Sequence, residues 1–226
     1  MISILTVEIE MGNYTLIKFR MSAFICAVCY IVGITYIAVI APSYAESISN
    51  QFTHLLKHPT SMILWYSILY VAFGLSLIIL NKSVAIILPK QNNNVFWTFT
   101  LKVGDIWSGF VLATGFMMIS AIHFFQGSTS SETDLYVIWQ TVYILVQAIG
   151  GGIELLGGIW MMMVSIILYR LKLISKFTVL LGIFIGFSGI LTIIPILQDL
   201  AIVFGVGQII WFICLALTNN ENFKFT

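Results

Sequence analysis

The hydrophobic positions of this chain fall in long unbroken runs rather than in stripes of helical period. Six runs are long enough to cross a hydrocarbon core of about 30 Å, which takes roughly 20 apolar residues as helix. They lie at 21–41, 61–80, 99–125, 141–169, 177–195 and 200–218. The first is entered past Lys18 and Arg20 and stopped by Pro42, and helical pattern in the second reaches Leu88, ahead of Pro89. The fourth sits in a broader run, 138–169, that is long for one crossing and holds Gly150, Gly151 and Gly152. Transmembrane strands would instead alternate in and out over about ten residues, and no such pattern is present. The expectation is an all-α polytopic transmembrane bundle of six spans, one integral membrane domain over 1–226 with the lipid bilayer as its first partner.

Composition narrows the class further. Of 226 residues, 60% are hydrophobic and 8% charged, where a soluble domain carries about 25% charged residues. A soluble globule is excluded on that ground. The net charge of +1 argues against nucleic acid as a partner, because phosphate binding needs clustered Lys and Arg. Cys26, Cys29 and Cys214 are too few for a disulfide framework.

The basic residues set an orientation. With the N-terminus inside, Lys18, Arg20, Lys82, Lys90, Lys102, Arg170, Lys172, Lys176 and Lys224 fall at the inner side, and only Lys57 falls outside. This bias is what the positive-inside rule requires. It predicts a multi-pass protein of the plasma membrane with both termini cytoplasmic. Ser43-Tyr44-Ala45 after the first run resembles a signal-peptide cleavage site. A signal core has only 7–15 apolar residues, so a retained first span is expected. Three spans per half could form an inverted repeat of the kind transporters use, but the glycine-plus-acid pairing in spans three and four is too weak to establish one.

Two acids lie within spans, where an ionised carboxylate costs about 2.5–3.5 kcal/mol at the helix centre. Asp105 is three residues past Lys102, a spacing that lets the side chains meet, and the pair reads as an inner-edge ion pair. Glu154 has no Lys or Arg near it in sequence and lies 16 residues before Arg170, about 24 Å above the inner edge. His123, 21 residues past Lys102, comes out at about 31 Å. Glu154 and His123 therefore form the candidate proton, ion or ligand site of the outer leaflet. The structural alternative is a protonated Glu154 hydrogen-bonded to a neighbouring helix.

Glycines surround that acid. Gly150 and Gly158 share its helical face, and Gly182 and Gly186 form a small-xxx-small pair in the fifth span; all four are assigned to close helix packing. Three consecutive glycines also weaken a helix by about 1 kcal/mol each, so a bend or break is expected just above Glu154. Cys26-Ala-Val-Cys29 lies inside a span and reads as inert buried thiols. His54 and His58 have the i, i+4 spacing of metal ligands but lack the glutamate of the zinc-protease motif, and read as solvated loop residues. Trp97 and Trp139 fall at predicted interfaces, while Trp107, Trp160 and Trp211 read as helix packing. No catalytic motif, metal site or cofactor is expected.

The residues Gly151-Gly-Ile-Glu-Leu-Leu-Gly-Gly-Ile-Trp160, with Ser165, Leu168-Tyr-Arg170, Lys176 and Leu181-Gly-Ile-Phe-Ile-Gly186, complete the reading. Together with the six-span layout they resemble the bacterial membrane proteins grouped as domain of unknown function 4386. The resemblance covers about the last 80 residues in detail and the rest in layout. It implies a plasma-membrane protein with no assigned activity and adds no site residue. The leading functional expectation is a structural or signalling membrane component, working as a homo-oligomer or with other membrane proteins. A small proton- or cation-coupled transporter built on Glu154 is the alternative, and an intramembrane enzyme the second.

Overall fold

The computed structural model describes residues 2–88, 95–151 and 154–218, and all secondary structure among them is helical. Pro89, Lys90, Gly152 and Lys224 lie outside the described residues. Helix α1 (Ile2–Thr35) continues through a π turn, Tyr36–Ile40, and stops at Ala41, where the following Pro42 disfavours helical backbone. A 3-10 turn (Pro42–Ala45) leads to α2 (Ile48–Lys57), capped by Ser47, whose hydroxyl accepts from the Asn50 N–H at 3.1 Å. Helix α3 (Pro59–Tyr66) runs through a π segment, Ser67–Ala72, directly into α4 (Phe73–Ile87).

The second half is built the same way. Helix α5 (Val95–Gly127) is a single rod, and α6 (Glu132–Val146) ends in a π turn at Gln147–Gly151. Helix α7 (Leu155–Arg170) begins afresh after the break, followed by α8 (Lys176–Leu191), a 3-10 turn (Pro195–Leu197) and α9 (Leu200–Ala216). The turn after α7 bonds Leu173 N–H to Leu168 O and Lys172 N–H to Tyr169 O, with Lys172 at φ 60°. This is a Schellman closure with lysine where glycine is usual.

Three stretches, Tyr14–Ile40, Pro59–Ile87 and Val95–Gly127, are long and apolar enough to cross a membrane. Helices α7, α8 and α9 are apolar but shorter. Outward faces carry Phe24, Leu64, Phe116, Phe184 and Ile202, all exposed, an apolar surface too extensive for a water-facing monomer.

Two apolar clusters hold the helices together. The larger joins α1, α4, α5, α7, α8 and α9 around Phe73, Trp107, Trp160, Phe204 and Trp211. The second gathers α2 and α6 over the ends of α1, α3 and α5 through Tyr44, Phe52, Trp65, Phe125 and Trp139. The stretch from Pro42 to Pro59, between the first two expected spans, thus contains a helix. Its Phe52 and Leu55 are buried with Ile48 packed beside them, and this i, i+4, i+7 spacing gives one apolar stripe. Trp139 is likewise no interface residue. It is fully buried, and its indole N–H donates to Ile48 O at 3.3 Å.

Glycines set the distance between α7 and α8. A Cβ on Gly158 would collide with the Gly186 carbonyl oxygen and stand 2.8 Å from Ile190 N. A Cβ on Gly186 would come within 2.6 Å of Gly158 O. Gly182 backs onto Ser165 and Trp211 in the same way. The obstructing atoms at Gly158 are backbone, so no rotamer change relieves them. Gly158→Ala is expected to destabilise the bundle by about 2 kcal/mol or more, as overpacking does. Gly109→Ala meets nothing within 4 Å and is expected to be neutral or stabilising by up to about 1 kcal/mol. Reversible unfolding in micelles checks the pair, and equal stabilities would contradict the packing.

Candidate functional site at the interrupted helix

Glu154 stands where the helix restarts. Its backbone (φ −85°, ψ 22°) is outside the helical region and serves as the N-cap of α7. The Glu154 N–H donates to Thr192 Oγ1 at 2.9 Å, and its carbonyl accepts from Gly158 N–H at 2.9 Å. Of the break expected above the acid, the described residues show Glu154 itself, which is non-helical and directly precedes α7. The Glu154 N–H is thus satisfied by the side chain at the end of α8 and its carbonyl by α7 itself, as backbone groups away from water require.

The side chain of Glu154 is half-buried and lines a cavity of about 140 Å³. The other walls are Tyr30 of α1, Leu69 and Tyr70 of the π segment, Phe73 of α4, and Trp107 and Val111 of α5. Tyr30 and Tyr70 are near enough to interact electrostatically with the carboxylate. The π segment adds a residue to one turn, and Leu69 and Tyr70 of that turn line the cavity. Among the described residues no cation pairs with Glu154. A larger groove of about 390 Å³ between α5 and α6 is walled by Phe116, Met117, Phe124, Ile138 and Val142 and has no ionisable side chain.

His123 does not belong to this site. It is exposed on α5, twelve residues beyond Val111, or about 18 Å farther along the helix. The expected pairing fails because α5 and α7 meet out of step. Trp107, five residues past Lys102, packs against Gly157, which is thirteen residues before Arg170. Equal counts from those two basic residues do not give equal heights.

The expected Lys102–Asp105 pair is also replaced. Asp105 pairs with Lys82 of α4 at 3.6 Å, and Lys102 is exposed. Asn81, missed in the sequence, explains why. It is buried, donates to Asp105 Oδ1 and to Leu101 O, each at 2.9 Å, and accepts from Trp160 Nε1 at 2.9 Å. Asn81 and Lys82 are adjacent in α4, so the same turn supplies both partners of Asp105. The sequence signal is an Asn at the end of an apolar run, directly before Lys82. Gln208, buried in α9 beside Tyr30, stands inside an apolar run.

The remaining expected residues are placed as follows. Gly158, Gly182 and Gly186 pack α7 against α8 and α9, and Gly150 lies in the π turn before the break. Cys26 and Cys29 are buried free thiols. His54 and His58 belong to α2 and its C-cap, with ring centroids 4.7 Å apart. His54 Nε2 meets Tyr36 OH at 3.3 Å, and that hydroxyl donates to Ser61 Oγ at 3.1 Å. Among the described residues no three His, Cys, Asp or Glu side chains converge as metal ligands.

No protein family, curated protein or solved structure matches this chain. Chemistry must be read from these contacts. Burial, then the neighbouring His58, holds the His54 imidazole below the usual histidine range. A base with a lowered folded pKa is protonated first in the unfolded chain, so its contribution is present at higher pH and declines as pH falls through about 6.5. Melting temperature is expected to be flat above about pH 7.5 and to fall towards pH 5. His54→Asn should flatten that fall, and an unchanged slope would contradict the assignment.

Proposed function

We propose that this chain is a six-span plasma-membrane protein with both termini cytoplasmic, and that it carries a proton or small cation by way of Glu154. It is further proposed to belong to the unassigned membrane family that it resembles. Three long apolar helices and three shorter ones support the span count. The orientation is supported by Arg20, whose Nε donates to Ala216 O at the end of α9, and by Arg170 and Lys176, which flank the α7–α8 turn. Alternating helices bring those ends to one side of the bundle.

One observation carries the functional reading: an acid at a broken helix faces a cavity inside the bundle. Intramembrane acids that face a cavity mark ion and proton pathways, and transporters place such sites at discontinuous helices. A structural or signalling role is the second reading, favoured by the backbone contact between Gly158 and Gly186. An enzyme needed Glu154 and His123 in one cavity, and it is not proposed.

The test uses the full chain in proteoliposomes with an imposed pH gradient. Addition of monovalent cations is expected to collapse the gradient, and Glu154→Gln to slow that collapse at least tenfold while thermal unfolding is unchanged. Equal rates for the two proteins would overturn the carrier reading in favour of the structural one.

A further inference from the structure

We infer that the Glu154 cavity is a binding site for a small organic ammonium ion, held by one carboxylate inside aromatic walls. This rests on the reading of Glu154 as a cation site and names the class of cation. Of the seven described residues that line the cavity, four are aromatic, namely Tyr30, Tyr70, Phe73 and Trp107, and Glu154 is the one charged side chain among them. Three of these rings form a connected wall. Tyr30 meets Phe73 edge-on at 4.9 Å between centroids, and Phe73 meets Trp107 at 5.9 Å. Phe73 and Trp107 are buried and held on their far sides by Phe212 and Trp160, at 6.0 and 5.5 Å.

This lining sorts ligands by charge and by hydration. Among the described residues no Lys, Arg or His lines the cavity, so an anion would meet a carboxylate and no positive charge. Calcium takes 6–8 oxygen ligands and magnesium demands an octahedral set, whereas Glu154, Tyr30 and Tyr70 together supply four oxygens. An alkylated ammonium needs no such cage. Aromatic rings within about 6 Å attract it through their quadrupoles, more strongly when the site is desolvated, and the carboxylate neutralises its charge. Size agrees as well. A cavity of about 150 Å³ admits a benzene-sized guest, and at about 140 Å³ this one suits tetramethylammonium but not a bulky drug-like cation.

The probe is tetramethylammonium chloride, titrated calorimetrically into the full chain in detergent micelles with sodium chloride as control. Saturable binding of tetramethylammonium that sodium does not reproduce is expected. Glu154→Gln and Tyr70→Leu should each weaken it at least tenfold, and Tyr70→Phe, which keeps the ring, should bind within about threefold of wild type. The Phe variant guards against loss by misfolding. Absence of saturable binding, or equal binding by Tyr70→Leu, overturns the inference. If tetramethylammonium fails to bind while Glu154 still governs collapse of the pH gradient, the ammonium site falls and the carrier stands. If it binds with the expected pattern but Glu154→Gln leaves the gradient unaffected, the site stands and transport falls.

Discussion

A helix that stops inside hydrocarbon must give its freed backbone groups a partner, because lipid offers none. If the proposed fourth span holds, the Glu154 N–H finds that partner in Thr192. Its hydroxyl accepts the Glu154 N–H at 2.9 Å and donates to Gly189 O at 2.7 Å, which ties the start of α7 to the end of α8. With that bond in place α7 can start at Leu155 with Glu154 as its non-helical N-cap. Without the break, Glu154 would be one more residue on a continuous helix. With it, the acid caps α7 and reaches the cavity shared by α1, α4 and α5.

Close packing makes that bond reachable. A Cβ on Gly189 would stand 3.0 Å from Glu154 O, and one on Gly157 would stand 2.8 Å from the Trp107 ring. Glycine at these positions lets α8 come up behind the break and Trp107 lie against α7. The aromatic wall follows from the same approach, since Trp107 is held between Phe73 and Trp160. Stability and function thus draw on one set of contacts. Substitutions that loosen α7 from α8 would disturb the site as well as the bundle.

The all-helical class and the break were legible in the sequence, the first from long apolar runs and the second from Gly150, Gly151 and Gly152 beside an acid. Glu154 was legible because an unpaired carboxylate is costly at that depth. Its surroundings were not. Helix length gives height along one axis only, and the offset between α5 and α7 substituted Trp107 and Val111 for His123. Lys82 replaced Lys102 for a related reason: the partner of Asp105 depends on how α4 faces α5, which no spacing within α5 encodes. Helix α2 was hidden because its ten residues carry a single short apolar stripe between two prolines.

On the proposed reading the Glu154 carboxyl faces a cavity open to a small cation rather than lipid or a dry helix contact. Infrared difference spectroscopy in proteoliposomes reads this directly, through the carboxyl and carboxylate bands that differ between wild type and Glu154→Gln. Those bands are expected to shift on exchange into heavy water and again on addition of tetramethylammonium. Bands that respond to neither would contradict the claim, because a sealed or lipid-facing acid has no contact with either probe.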